Sequence, residues 1–194
     1  MTTTRLLIVR HGETDWARDR RHTGRTDIPL NEAGRAQAVA LAGHLPLAGL
    51  SAVWTSPLQR ASDTARLAGL TVDTVDDDLV EWDYGAAEGR TTAEIRAGHE
   101  GWDVWTNGVR TLGGGGEALD EVGARVDRVI ARARQIEGKV AIVAHAHLLR
   151  VLAARWLDQP AEFGRHLTLD PAGWALLAWE RETPVIDRWN PPKP

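Results

Sequence analysis

Two histidines of this chain lie where they could bind and attack a phosphate group. The sequence Arg10-His11-Gly12 directly follows the apolar run 6–9, which predicts a short buried strand, and His145 follows a second apolar run. A neutral imidazole can act as a nucleophile toward phosphorus, an arginine supplies a fixed positive charge, and glycine lets the backbone approach an anion closely. Taken alone, the tripeptide fits an ordinary strand-to-loop turn equally well.

A further arginine is expected at the same edge of the sheet. The pair Ser56-Pro57 predicts the start of a helix that runs to about Ala68, with Ser56 as its cap and Pro57 at its first position. Arg60 falls in the first turn of this helix, where a helix N-terminus already favours anions. Ligands of open α/β sheets bind outside the carboxyl ends of the strands. Arg10, Arg60 and the two histidines are therefore expected to line one anion pocket.

Apolar runs alternate with amphipathic segments along the chain, and this alternation predicts the fold. The predicted strands are residues 6–9, 52–55, 140–144, 174–179 and 185–189, and the predicted helices are residues 31–45 (capped by Asn31), 56–68, 117–135 and 148–157, with a short one after Thr91. This order indicates a three-layer α/β/α sandwich with a mostly parallel central sheet. In the longest helix, Arg125 and the later arginines are expected mostly to face water. We expect one domain over residues 1–190 and a flexible tail at 191–194.

Composition narrows the partners and the location that the chain can have. Hydrophobic residues make up 43% and charged residues 26% of the 194 residues, as in soluble globular proteins, and the net charge is -4. No global positive field favours nucleic acid or an anionic membrane, so we expect neither as a partner. The chain has no cysteine, which excludes disulfides and thiolate metal sites. Since its start shows no signal-peptide pattern, a cytoplasmic location is expected.

The ordered motifs of the chain resemble those of the histidine phosphatase superfamily, also called the phosphoglycerate mutase-like family. The matching segments are residues 6–14, 23–30, 56–65, 81–85, 88–89, 116–117 and 144–147. They extend over most of the chain. Residues 81–96 look most similar to the corresponding segment of acid phosphatases and sugar-bisphosphatases in this family.

Carried over by position, this resemblance implies a role for each matching residue. His11 would be the nucleophile that becomes phosphorylated, and Glu81 would protonate the leaving oxygen and then activate water. The residues implied to bind the phosphoryl group or the substrate are Arg10, Arg60, His145, Thr23, Gly24 and Ala146, the last through its backbone N–H. Neither a metal nor a cofactor is implied.

Elementary chemistry agrees with these roles. A phosphoryl transition state spreads negative charge over its equatorial oxygens, so fixed cations can supply the help that a metal would give. His11 must be neutral to attack, and nearby arginines disfavour its protonation. An alkoxide leaving group needs a proton, for which Glu81 is the best candidate. A metal held by His145 and His147 is a weaker hypothesis, since no third ligand stands nearby in the sequence.

Some charged residues have a second interpretation. Glu88 is a rival acid to Glu81, although Gly89 beside it indicates a role in shaping a loop. Four arginines, at positions 18, 20, 21 and 25, could guide an anionic substrate past Thr23. Nearby acids nearly cancel their charge, which favours a solvated loop. His22 has no supporting context and is expected to be a surface or packing residue.

Two departures from the family pattern distinguish hydrolysis from phosphoryl transfer between substrates. Phosphoglycerate mutases carry an asparagine phosphate ligand where this chain has Ala17. The segment between Glu81 and Gly116 also leaves little room for the insertion by which mutases retain a bisphosphorylated intermediate. Hydrolysis of small phosphate esters such as sugar phosphates is therefore the predicted activity, and a phosphoglycerate mutase is the alternative.

A third hypothesis is a non-catalytic module that binds phosphate esters. It is suggested by the segment Ala144-His145-Ala146, where family members often carry Ser-His-Gly. The residues implied in catalysis are all present, which argues against it. The sequence fixes neither the natural substrate nor the oligomeric state, and a homodimer stays open.

Overall fold

The computed structural model describes residues 4–192 and contains a six-stranded sheet with helices on both of its faces. The strands are β1 (Arg5–Arg10), β2 (Leu50–Thr55), β3 (Thr74–Val75), β4 (Lys139–Ala144), β5 (Trp174–Glu180) and β6 (Thr183–Trp189). The helices are α1 (Asp15–Arg18), α2 (Glu32–Leu41), α3 (Gln59–Leu67), α4 (Thr92–Arg96), α5 (Leu119–Ala133) and α6 (Ala146–Trp156). In this described part of the chain, no helix has the length and apolar character needed to cross a membrane.

The strands lie in the order β3-β2-β4-β1-β5-β6. The first four run parallel, and β5 and β6 pair antiparallel at one side. The predicted α/β fold with a mostly parallel sheet is therefore confirmed, and so are the two closing strands. The domain boundary at residue 190 stays a prediction. The end of the predicted flexible tail, residues 193–194, lies outside the described residues.

The sheet buries apolar side chains on both faces, because successive residues of a strand point to opposite sides. In β1, Leu6 and Ile8 pack with α5 and α6 in one core cluster, and Leu7 and Val9 pack with α2 and α3 in the other. All four side chains are fully buried. A strand covered on both sides has an unbroken apolar sequence, which is why the run 6–9 predicted β1.

The pairing of β1 with β4 positions the two histidines. These strands are parallel neighbours, and their last residues, Arg10 and Ala144, are register partners. The backbone N–H of His11 donates to the carbonyl of Ala144 at 2.9 Å, so the pairing continues one step beyond the strands. Because each histidine directly follows its strand, His11 and His145 reach the same edge of the sheet.

Some element boundaries differ from the sequence prediction. Helix α3 has Leu58 at its cap position, so the prediction that Ser56 caps this helix is wrong. The Ser56 N–H instead donates to the carbonyl of Val143, which extends the pairing of β2 with β4. The sequence does not predict α1 or β3, because these elements are too short to show a periodic pattern. The cap of α2 at Asn31 is confirmed.

A close approach between two glycines fixes the loop after β1. A Cβ atom on Gly12 would stand 2.3 Å from the carbonyl oxygen of Gly34, and one on Gly34 would stand 2.0 Å from that of Glu13. Both contacts are with backbone, which cannot rotate away as a side chain can. The N-terminus of α2 therefore packs directly on the loop that follows His11, and glycine is required on both sides.

We expect Gly34→Ala to lower the free energy of unfolding by about 1–3 kcal/mol, because its methyl group would overpack a contact between two backbones. The matched control is Gly98→Ala, since a Cβ at Gly98 meets nothing within 4 Å. Urea denaturation of both variants measures the difference. Equal stability of the two variants and the parent would contradict the close approach.

Candidate active site

His11 lies directly after β1 with one ring nitrogen already bonded. Its Nδ1–H donates to the carbonyl of Gly12 at 2.7 Å, which leaves Nε2 unprotonated in the neutral ring. Burial first, and then the charges of Arg60 and Arg10, hold the pKa of His11 well below its ordinary value. His11 therefore stays neutral and nucleophilic at pH values where an exposed imidazole would be protonated.

Ser56 and Arg60 hold the imidazole ring of His145 by hydrogen bonds to its two nitrogens. An arginine nitrogen can only donate, so Nδ1 of His145 accepts from Nε of Arg60 at 3.1 Å. The Nε2–H of His145 then donates to Oγ of Ser56 at 2.8 Å. Burial, and then the charge of Arg60, lowers the pKa of His145 well below its ordinary value. The neutral ring of His145 lies 5.2 Å from that of His11, measured between centroids.

Arg60 is completely buried and directs its guanidinium at backbone carbonyls. Its Nη1 donates to Thr26 at 3.0 Å, and its Nη2 donates to Gly24 at 2.8 Å. The structure thus brings the predicted anion-binding residues together in two layers. Arg10 and His11 line the pocket, whereas Arg60 and His145 lie behind them and do not line it.

Arg10 carries an unsatisfied donor. Its Nη1 donates to the carbonyl of Leu169 at 2.6 Å, but its buried Nε has no hydrogen-bond partner within residues 4–192. A buried N–H without a partner costs about 1–3 kcal/mol, which an oxyanion bound beside it would recover. The backbone N–H of Ala146, at the first position of α6, is also free of intrahelical bonds, as the first N–H groups of any helix are.

Glu81 is held at the N-terminus of α6 by three backbone N–H groups. Its Oε1 accepts from Trp82 at 3.0 Å and from Leu148 at 2.9 Å, and its Oε2 accepts from His147 at 3.0 Å. Burial raises the pKa of Glu81, although these N–H groups and Arg60 oppose the rise. A carboxyl group in this environment retains its proton at higher pH than an exposed glutamate, as a general acid must.

A buried ion pair anchors the loop that carries Glu81. Both nitrogens of the Arg125 fork donate to the Glu117 carboxylate, Nε at 2.6 Å and Nη2 at 2.8 Å. Arg125 also donates to the carbonyls of Asp78 and Val80, at 2.7 and 3.0 Å. The expectation that Arg125 faces water is therefore wrong, since only 10% of its side chain is exposed. Glu117, in the 116–117 motif, therefore helps to hold the loop that leads to Glu81.

Glu88 shapes a loop, as its glycine neighbour indicated. Its Oε1 accepts from the backbone N–H of Gly24 at 3.0 Å and from that of Thr26 at 2.7 Å. The carbonyls of the same two residues hold the guanidinium of Arg60. Glu88 does not line the pocket, whereas Glu81 lines it together with His11.

A pocket of about 180 Å³ opens in front of His11. Of the residues implied to bind substrate, Thr23 and Ala146 line it with Arg10 and Glu81, whereas Gly24 does not. The remaining wall residues are Thr14, Ala17, Arg20, Arg21, His22, Tyr84 and His147.

One wall of this pocket is formed by His22, Tyr84 and His147, none of which was among the predicted site residues. The Tyr84 hydroxyl hydrogen-bonds Nδ1 of His147, and the ring of His22 lies 5.0 Å from that of Tyr84. Burial lowers the pKa of His147 and raises that of Tyr84, each far from its ordinary value, so both groups are neutral. Tyr84 and His147 are 63 positions apart. They lie inside the matched segments 81–85 and 144–147, and this was the only signal for them in the sequence.

The hypothesis of a metal held by His145 and His147 finds no support in this geometry. Both ring nitrogens of His145 are already bonded, to Arg60 and Ser56. Over residues 4–192, no group of three or more histidine and carboxylate side chains is placed to hold a metal ion. Independence from metal stays a prediction.

Comparison with known proteins decides the family. The family model described as the histidine phosphatase superfamily (branch 1) matches residues 6–192, nearly the whole chain. The chain belongs to the histidine phosphatase superfamily.

Some relatives within this superfamily carry names of phosphatases, and others carry names of phosphoglycerate mutases. The chain is 39% identical to an acid phosphatase from Mycobacterium tuberculosis, over 98% of this chain and 95% of the relative. It is 34% identical to a sedoheptulose 1,7-bisphosphatase from Saccharomyces cerevisiae, over 79% of this chain and 68% of the relative. The solved structure of a mycobacterial glucosyl-3-phosphoglycerate phosphatase with VO3 matches at a TM-score of 0.83 and 32% identity, covering 96% of this chain and 98% of that one. The predicted family and fold are confirmed, and a phosphatase activity is assigned to the chain.

In this histidine phosphatase, Arg125→Met should lower the free energy of unfolding by about 3–5 kcal/mol, because Glu117 would be left as a buried, unpaired carboxylate. The matched control on the same helix is Arg128→Met, whose exposed ion pair with Asp78 is worth about 1 kcal/mol or less. Urea denaturation compares the two variants. Similar small losses for both would show that the Glu117 pair does not anchor the loop.

Proposed function

We propose that this protein is a metal-independent phosphomonoesterase that hydrolyses small phosphate esters, such as sugar phosphates, through a phosphohistidine on His11. The main support for this proposal is the burial and the neutral state of His11. It is buried and neutral, its Nδ1 is bonded to its own chain, and it lines the pocket beside Arg10. A nucleophile beside an unsatisfied cationic donor is what transfer of a phosphoryl group requires.

In the first step, Nε2 of His11 attacks phosphorus while the bond from phosphorus to the ester oxygen breaks. Arg10 and the N–H of Ala146 donate to the equatorial oxygens, over which negative charge spreads in the transition state. Arg60 and His145 act from the layer behind, where the positive charge of Arg60 favours the phosphorylated ring. Glu81 gives its proton to the leaving oxygen, and the alcohol departs.

In the second step, water takes the place of the alcohol. The carboxylate of Glu81 removes a proton from this water as its oxygen attacks phosphorus, and the bond from phosphorus to Nε2 of His11 breaks. Inorganic phosphate leaves, His11 is again neutral, and Glu81 again holds a proton. The fixed arginines supply the charge stabilisation, so the cycle calls for neither metal nor cofactor.

Two observations favour hydrolysis over a phosphoglycerate mutase. The acid phosphatase and the bisphosphatase are 39% and 34% identical to this chain, against 31% and 32% for two relatives named as phosphoglycerate mutases. The pocket wall also has the apolar Ala17 where a mutase carries its asparagine ligand. The proposal includes a small phosphorylated substrate as the partner. A cytoplasmic location and the absence of nucleic-acid and membrane partners stay predictions, and a homodimer stays open.

The protein should release phosphate from p-nitrophenyl phosphate in excess EDTA, and His11→Ala should abolish this activity because the phosphoenzyme cannot form. Substrate labelled with ³²P should give an acid-labile phosphoprotein in the wild type alone. The control His166→Ala changes an exposed histidine outside the pocket and should keep full activity. Turnover by His11→Ala at the wild-type rate would overturn the mechanism, and phosphate binding without label would indicate a non-catalytic module.

A separate assay distinguishes a mutase. Rapid interconversion of 3- and 2-phosphoglycerate with negligible phosphate release would indicate a mutase.

The pH dependence of kcat/KM should follow the protonation state of the Glu81 carboxyl group. Because the pKa of Glu81 is raised and that of His11 is lowered, both shifts favour the form with protonated Glu81 and neutral His11. For an alkyl phosphate, kcat/KM should fall as pH rises through the pKa of Glu81. Glu81→Gln should lower kcat/KM by about 10²–10⁴-fold and remove this alkaline limb. The exposed Glu100→Gln serves as the control, and an alkaline limb that persists in Glu81→Gln would exclude Glu81 as the acid.

A further inference from the structure

Arg20 has a backbone conformation that arginine rarely adopts. Its φ is 57°, in the left-handed region that favours glycine. It lies one residue past the C-cap of α1, where its N–H donates to the carbonyl of Ala17 at 3.2 Å. The next N–H, of Arg21, donates to the carbonyl of Trp16 at 2.8 Å. These bonds form a Schellman motif, whose left-handed position is usually glycine. The helix end explains the conformation but not the arginine.

The side chain of Arg20 is free to bind a ligand. Its neighbours are paired: Arg18 with Asp15 at 2.8 Å, and Arg21 with Glu94 at 3.3 Å. By contrast, the guanidinium of Arg20 makes no hydrogen bond or ion pair with any side chain or carbonyl of residues 4–192. Arg20 nevertheless lines the active-site pocket. All five of its N–H donors are therefore without a partner among residues 4–192.

The pocket wall holds more positive charge than one phosphoryl group needs. Besides Arg10, it includes the unpaired Arg20 as well as Arg21, which is paired with Glu94. Its one carboxylate among the described residues is Glu81. That carboxylate is buried and already accepts three backbone N–H groups, so it does not neutralise Arg20. A ligand that extends from the phosphorus site toward Arg20 meets an unpaired cation.

We propose that Arg20 binds a second anionic group, a carboxylate or a second phosphate, on the alcohol part of the substrate. This inference rests on the proposed function, because it takes the first phosphate to lie against His11. A planar guanidinium with free donors can hold either oxyanion in bidentate geometry. The preferred substrates are then phosphorylated hydroxy acids or sugar bisphosphates, rather than monophosphates of neutral polyols.

Two matched pairs of substrates test the role of Arg20. Glycerol 3-phosphate and 3-phosphoglycerate differ by a carboxylate, and fructose 6-phosphate and fructose 1,6-bisphosphate differ by a second phosphate. Within each pair, the measured quantity is the ratio of kcat/KM for the doubly anionic ester to that for its partner. Arg20→Gln should lower this ratio about tenfold, as expected for a lost charge-assisted hydrogen bond, and Arg20→Lys should retain part of it. The pair that responds identifies the second group.

Two glycine variants separate recognition from backbone strain. Arg20→Gly relieves the left-handed conformation, so it should raise Tm while it lowers the ratio. Arg181 has the same φ of 57° in the turn between β5 and β6, outside the pocket. Arg181→Gly should therefore raise Tm and leave the ratio unchanged. A purely structural role for Arg20 would not lower the ratio in a stabilised variant.

Unchanged ratios in Arg20→Gln and Arg20→Gly would overturn the proposal, and so would an equal loss for both members of each pair. Calorimetric affinities of the same four esters, measured in a His11→Ala background, provide a readout that needs no turnover. Suppose that the wild type hydrolyses none of the esters while Arg20→Gln still removes the preferential binding of the doubly anionic ones. The proposed function would then fail, and the role of Arg20 would stand.

Discussion

The parallel pairing of β1 with β4 is the constraint on which the rest of the structure depends. It sets Arg10 beside Ala144, so the chain leaves both strands at the same edge of the sheet. A slip of one residue would turn every side chain of the strand to the opposite face and separate the histidines. Such a slip is costly because residues 6–9 are completely buried between two helical layers. The core thereby enforces the geometry of the site.

Charges held away from water make up this site. Arg10 and Arg60 donate hydrogen bonds to backbone carbonyls in place of water, and Glu81 accepts hydrogen bonds from backbone N–H groups in place of water. Donors and acceptors that are already oriented need little rearrangement as charge develops in a transition state. The same burial keeps His11 and His145 neutral. An uncharged imidazole and two buried arginines therefore coexist at one site.

Elements that depend on local sequence patterns could be predicted, whereas contacts between residues far apart along the chain could not. Strands buried on both faces have apolar sequences, and the matched motifs carried long-range information that local patterns lack. Ser56 was wrongly predicted as the cap of α3 because its N–H continues the pairing of β2 with β4, so that the helix begins after Leu58. Its Oγ accepts from the N–H of Leu58 and from His145, 89 positions away. Arg125 occupies a helix position typical of a solvated face, yet Glu117 and two loop carbonyls hold it inside. The layering of Arg60 behind the nucleophile depends on tertiary packing in the same way.

The N-terminus of α6 can serve two negative groups at once. Glu81 accepts from its second and third N–H groups, and the first belongs to Ala146, which lines the pocket. A phosphate dianion bound at Ala146 would repel the carboxylate and raise the pKa of Glu81 further. Arrival of the substrate would thus draw onto Glu81 the proton that the departing alcohol needs. In that case the ester prepares the acid that cleaves it, and release of phosphate resets that acid for the next molecule.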